Sequence, residues 1–191
     1  MFTAEGVTVR PLDLADRDPM YRWYLDGTAD RFSGWSKRIS RDAFDLKWER
    51  LILDPPSGII LFAIDFAGAC VGRIELARID RDNRHAAVGL FVGETAHWGK
   101  GIGAAALRLV ADVAFSIENL ERLYAHVFGF NTRSRRLMLR VGFQAEGVLR
   151  RHELHNGFRQ DMHVFGLLRE EFYAANGTLF PLPAADTPEA S

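Results

Sequence analysis

The chain is poor in the things that often identify a small protein at a glance. It has one cysteine, Cys70, so no intramolecular disulfide can form and a reducing compartment fits. Lys and Arg number 24 against 25 Asp and Glu, for a formal charge of −1, which excludes nucleic-acid binding driven by bulk positive charge. No apolar run approaches the ~20 residues needed to span a bilayer. The opening "MFTAEGVTVRPLD" lacks the basic-then-apolar layout of a secretory leader. There is no internal repeat and no low-complexity block. These absences lead to the expectation of a soluble, cytoplasmic protein with no membrane or nucleic-acid partner and no metal.

What is present suffices for an ordinary core: 191 residues, 48% of them hydrophobic. We expect one domain over residues 1–180, followed by a flexible tail, "PLPAADTPEAS", over 181–191. Cys70 lies in the apolar run "FAGACVGRIEL" and reads as a buried structural thiol. "VTVRPL" alternates like a short strand, and Asp13 or Asp16 can cap the helix that follows, with Met20, Trp23 and Tyr24 on its apolar side. Phe44, Trp48, Leu51 and Ile52 recur at helical spacing before "PPSG" ends the element. "IILFAIDF", "ACVGRIELARI" and "HAAVGLFVG" then form a three-stranded antiparallel meander. Ile102, Ala105, Ala106, Leu109, Val110, Val113 and Ile117 mark one buried helix face. "RLYAHVFG" is a strand, Asn131 caps the helix "TRSRRLMLRV", and Gly142 ends it. Asn156-Gly157 turns a closing hairpin. The predicted order is β-α-α-β-β-β-α-β-α-β-β: α/β, a mixed, mostly antiparallel central sheet flanked by helices.

Between the meander and the longest helix stands "HWGKGIGAAAL", with glycines at 99, 101 and 103. Glycine costs about 1 kcal/mol against alanine inside a helix, so the bare backbone has a use. A P-loop fails because Lys100 is followed by Gly101 and Glu94 stands where its first glycine belongs. Gly99, Gly101 and Ala104 satisfy G-x-G-x-x-[GA], but the next strand ends in "VFGFN" without the acid that a dinucleotide site requires. The third reading is a pyrophosphate cradle. The first helical turn presents unpaired N–H groups and the positive end of the macrodipole, glycine lets a phosphate approach, and Lys100 adds charge.

At this point the sequence resembles the GCN5-related N-acetyltransferases. "WGKGIG", residues 98–103, is similar to their acyl-CoA motif [RQ]-x-x-G-x-[GA], with Trp98 in place of the usual Arg or Gln. "NTRSRRLMLRVGFQAEGVLRR" resembles their second signature, and "NGFRQDMHVFGLLREE" the closing hairpin of the branch with ribosomal-protein alanine and spermidine acetyltransferases. The resemblance is strongest over residues 71–172. It implies acetyl transfer from acetyl-CoA to a primary amine: a small amine, an aminosugar or a protein N-terminus. In such folds the fourth and fifth strands splay, so Leu90, Phe91 and Val92 would pair with pantetheine. Trp98, Gly99, Lys100, Gly101, Ile102, Gly103 and Ala104 would take the pyrophosphate, and Asn131 would touch the pantetheine arm. A homodimer is left open. The alternative from another class is a non-catalytic acyl-CoA sensor.

Attack on a thioester asks for a base, because a free alkylammonium has a pKa of about 10. It also asks for an oxyanion donor, here a backbone N–H of "LFV", and a donor for the departing sulfur. Many members of the resembled family carry a tyrosine seven residues after the Asn; here Met138 stands there, and Ser134 is the substitute candidate. Glu75 is the leading base candidate, with Glu94, His126, His152 and Asp161 as others. For the acceptor, "DGTADRFSGWS" offers Asp26, Asp30, Phe32 and Trp35, acids beside aromatics that suit a cationic amine.

Overall fold

Two-residue turns organise much of the sheet in the computed structural model, which describes residues 1–26 and 39–178. Glu5 and Gly6, with φ of 53° and 74°, fold Phe2–Ala4 (β1) back onto Val7–Pro11 (β2). Ala67 and Gly68 (52° and 81°) join Ile60–Phe66 (β3) to Ala69–Asp80 (β4). Asn156 and Gly157 (50° and 81°) join Gln144–His155 (β7) to Phe158–Leu168 (β8), the hairpin expected from the sequence. Two consecutive residues with positive φ twist the chain in the same sense as its flanking strands, which closes each hairpin without splaying it.

The remaining elements are helix α1 (Arg17–Leu25), helix α2 (Arg41–Leu53), strand β5 (His85–Val92), helix α3 (Ile102–Asp112), strand β6 (Arg122–Phe128), helix α4 (Thr132–Val141) and helix α5 (Arg169–Asn176). All eight strands form one sheet in the order β1-β2-β3-β4-β5-β6-β8-β7, antiparallel except where β5 meets β6. The expected mixed, mostly antiparallel sheet with flanking helices is therefore present. The structure adds β1 and α5 at its two ends. The first rests on Glu-Gly, a weaker turn signal than Asn-Gly; the second follows β8 directly, with Glu171 accepting from the Leu168 N–H at 2.9 Å. Phe32, Trp35 and the proposed tail at 181–191 lie outside the described residues.

Each sheet face buries its own core. On one, Ile74, Leu76, Ala86 and Val88 pack against α3, α4 and α5 through Leu107, Val110, Met138 and Phe172. On the other, Ala63, Leu61 and Phe91 pack against α1 and α2 through Met20, Trp23, Phe44 and Trp48. Alternation along β4 follows from strand geometry, so Ile74 and Leu76 face α3 while Arg73 and Glu75 share the α1–α2 face. Cys70 is half-buried, and desolvation, reinforced by Asp16, pushes its thiol up to about 12. Burial thus disfavours its thiolate, although the side chain is half-buried rather than enclosed as its apolar run suggested.

Two details depart from the sequence pattern. Ile117, counted on the buried helix face, is 56% exposed, because Val113–Ile117 forms a π-helical turn. One extra residue per turn carries the following side chain off the apolar stripe. Asp16 precedes α1 without capping it through its side chain. Its carboxylate instead accepts from the Asp13 N–H (3.0 Å) and both terminal nitrogens of Arg10 (2.9 and 2.8 Å), while Asp13 caps the preceding 3-10 turn.

Candidate active site

Strands β5 and β6 pair in parallel only from His85 opposite Arg122 to Ala87 opposite Tyr124. Beyond that point they diverge, and a cavity of about 220 Å³ opens between them. Its walls include Val88, Gly89, Leu90 and Phe91 from β5, Ala125–Phe128 from β6, Arg73 and Glu75 from β4, and Asn131, Ser134 and Met138 from α4. The cavity thus carries lining from both sheet faces. Ser134 and Met138 come from the α4 side, and Arg73 and Glu75 from the α1–α2 side.

The glycine loop sits past the end of β5, and two indoles hold it there. Trp98 Nε1 donates to the Val92 carbonyl at 2.8 Å, and the Arg133 guanidinium covers its ring at 4.0 Å. Trp23 lies so close to Gly93 that a β-carbon there would come within 2.0 Å of its ring, and Trp23 Nε1 donates to Glu94 Oε1 at 3.0 Å. Gly99 and Gly101 have φ of 79° and 84°, and a β-carbon on either would meet nothing within 4 Å. These two glycines serve backbone conformation first, and the space beside them is open. Gly103 is different. Its missing β-carbon leaves room for Leu90, whose Cδ2 would be 3.2 Å away, so α3 lies close on β5.

In α3 the Ala104 and Ala105 N–H groups both donate to the Gly101 carbonyl, at 2.9 and 3.0 Å. The N–H groups of Ile102 and Gly103, at the first two helical positions, have no carbonyl upstream within the helix. Exposed Lys100 stands beside them. A bare loop, unpaired amides at the positive end of a helix, and a lysine fit a diphosphate. The unpaired stretch of β5 beyond Ala87 fits an extended amide-bearing arm. The residues present therefore suit coenzyme A.

Asn131 caps α4, its Oδ1 accepting from the Ser134 N–H at 3.1 Å, and both residues line the cavity. Glu75 pairs with Arg73 at 2.5 Å. Across the strand pair it faces Gly89, where a β-carbon would come within 2.8 Å of its Oε1. Sequence reasoning missed Arg73 and Gly89. A glycine inside the strand "AAVGLFV" was the available signal for a close approach. His126 also lines the cavity, and burial, with Arg78 and His152 nearby, holds its imidazole below the ordinary histidine value.

The other base candidates are placed elsewhere. Glu94 is held by Trp23 and Arg22, Asp161 accepts from the Arg151 N–H at 2.7 Å, and His152 lies beside Glu153 on the exposed closing hairpin. Asp26 follows α1, its N–H bonded to the carbonyls of Arg22 and Trp23. It does not line the cavity.

A sheet split between two parallel strands, with a glycine-rich helix start beyond one of them and lining from both faces, is the arrangement of a fold that can take a ligand between its strands. Comparison with known proteins agrees. A family model described as an acetyltransferase (GNAT) domain matches residues 7–144. A probable N-acetyltransferase of Bacillus subtilis is 36% identical over 90% of this chain and 98% of its own length. The spermidine N(1)-acetyltransferase of Escherichia coli K12 is 25% identical over 93% and 94%. The crystal structure of spermidine N-acetyltransferase from Vibrio cholerae, in complex with CoA and spermine, shares the fold with a TM-score of 0.80. It is 24% identical and covers 88% of this chain and 99% of its own. The chain belongs to the GNAT acetyltransferase family, and its activity is acetyl-CoA-dependent N-acetylation of an amine. No helix among the described residues is long and apolar enough to cross a membrane.

Proposed function

We propose that this enzyme acetylates a small primary amine that enters from the α1–α2 face, with Glu75 taking the ammonium proton and Ser134 serving the departing sulfur. The observation that carries this reading is the cavity between β5 and β6, whose walls hold both side chains. Acetyl-CoA, when bound, supplies the acetyl thioester. The N–H groups from Gly99 to Gly103, with Lys100, would hold the diphosphate, the Ala104 N–H being taken by the Gly101 carbonyl, and Trp98 would keep that loop in place through Val92. The exposed edge of Leu90–Val92 would align the pantetheine amides, with Asn131 beside the arm.

The chemistry asks each residue for one act. Glu75, fixed by Arg73 and given room by Gly89, accepts a proton from the incoming ammonium, directly or across one water, and so frees the nitrogen lone pair. A β5 amide donates to the carbonyl oxygen as charge gathers there. Ser134 Oγ–H donates to the sulfur, a modest help because a thiol has a pKa of only about 8.5. Buried Met138, on the wall near Ser134, offers no proton and keeps that wall apolar.

Incubation with acetyl-CoA and a panel of amines, read by release of free thiol, tests the assignment. Glu75→Gln should lower kcat/KM by about 10²-fold, the usual scale for a general base, with acetyl-CoA affinity unchanged. Ser134→Ala should cost less. A Glu75→Gln enzyme that keeps its full rate would move the base elsewhere, with His126 next in line.

A further inference from the structure

A second hollow lies on the α1–α2 face and shares Arg73 with the cavity between the splayed strands. It measures about 270 Å³ and is lined by Tyr24, Ile39, Phe44, Lys47, Trp48 and Leu51 as well as Arg73. Its floor is aromatic: Phe44 and Trp48 stack with centroids 6.0 Å apart, and Tyr24 tilts against Phe44 at 5.5 Å. Its charged groups, Lys47 and Arg73, are both cationic. Lys47 stands exposed at the rim. Arg73, bonded to Glu75, stands between the two hollows. Trp48 is 5% exposed, and its indole N–H, also buried, has no hydrogen-bond partner among the described residues. A buried donor left without an acceptor is costly, so an acceptor group entering here has something to satisfy.

Building on the reading above, we propose that this hollow receives the body of the acceptor, and that the acceptor is an amine carrying both an apolar or aromatic group and a carboxylate, as an aromatic α-amino acid does. The apolar group lies on Phe44 and Trp48. The carboxylate takes Lys47, with the Trp48 N–H, and the ammonium reaches Glu75 past Arg73. In the transfer the ammonium gives one proton to the base, the nitrogen forms a bond to the acetyl carbon, the carbon–sulfur bond breaks, and the second proton lost by the nitrogen passes by way of Ser134 to the sulfur, so that coenzyme A leaves as the thiol. The product is the N-acetyl amino acid. A polycation such as spermidine would meet Lys47 as a like charge at the rim, where the amino acid brings a carboxylate.

The test compares phenylalanine, phenylalaninamide, phenethylamine and spermidine by release of free thiol, in the wild-type enzyme and in Lys47→Glu, with acetyl-CoA binding titrated separately. Phenylalanine should have the highest kcat/KM. Lys47→Glu should lower it about fivefold, the upper worth of an exposed charge pair, and should raise the rate with spermidine. A preference for spermidine, an amide that serves as well as the acid, or a preference order that ignores Lys47→Glu would overturn the inference and leave the acetyltransferase reading standing. Bound acetyl-CoA with no thiol released from any of the four would overturn both.

Discussion

Gly89 and Glu75 face each other across β5 and β4, and the space that one lacks is occupied by the other: a β-carbon at 89 would stand 2.8 Å from Glu75 Oε1 and 3.1 Å from its Cγ. Because the intruded atoms belong to a flexible side chain, Gly89→Ala should fold and push the carboxylate aside. The expected result is a kcat lower by about tenfold or more, since misplacement of a reacting group by an ångström is costly, with acetyl-CoA affinity little changed. Steady-state kinetics beside a melting curve checks both halves. Gly101 is the contrary case. Its φ of 84° makes any β-branched replacement strained whatever the space around it, at about 1–3 kcal/mol, so Gly101→Val would mix a folding defect with a binding defect.

At the scale of elements, the start of α3 matters more than its length. The helix is apolar and buried almost throughout, yet the part proposed to hold the carrier is its first turn and the loop before it. That loop depends on the end of β5, and Trp98 ties the two with the hydrogen bond from Nε1 to Val92. Trp98→Phe keeps an aromatic ring under Arg133 and removes only the donor. We expect the KM for acetyl-CoA to rise severalfold with kcat nearly unchanged, and stability to fall by about 1 kcal/mol, the usual net worth of one hydrogen bond. An unchanged KM would show that the loop holds its shape without the tie. The divergence of β5 and β6 is likewise a property of a pair of elements. Three residue pairs in parallel register, then none, leave a gap that no single strand defines.

For the whole molecule, two polar contacts outside the cavity lining tie stability to pH. Burial works against the charged form of Asp16, but its bonds from Arg10 and the Asp13 N–H outweigh that and hold its carboxyl below the ordinary value of 3.8. A depressed folded value means the contribution is complete above pH 3.8 and disappears as pH falls through the lower folded value. At the other end, desolvation, with the bond to Asp112, pushes Tyr173 from 10.0 up to about 12. A raised value means that its contribution is complete below pH 10 and lost between 10 and 12. Tyr173→Phe should therefore flatten the alkaline limb of a plot of Tm against pH while leaving the acid limb as it was. An alkaline limb as steep as the wild type's would assign that loss to another group, Cys70 being the nearest in value.

Much of the fold was legible because its signals are local. The Asn156-Gly157 turn, the Asn131 and Gly142 caps of α4 and the apolar stripe of α3 each depend on residues a few positions apart, and each stands where the sequence puts it. The glycine loop was legible for the same reason, as a run whose backbone needs no β-carbons. By itself, then, the sequence determined the order of the elements between β2 and β8, and through its family resemblance the nature of the carrier. Only the tertiary structure decided which side chains share the cavity. Glu75 and Ser134 are brought to opposite sides of one cavity by strand pairing and by a helix packed on the other sheet face, and Glu94, equally acidic, is held instead by Trp23 and Arg22. The physical reason is range: turns and caps are settled by neighbours along the chain, whereas meetings between distant segments are settled by how the sheet twists, splits and packs.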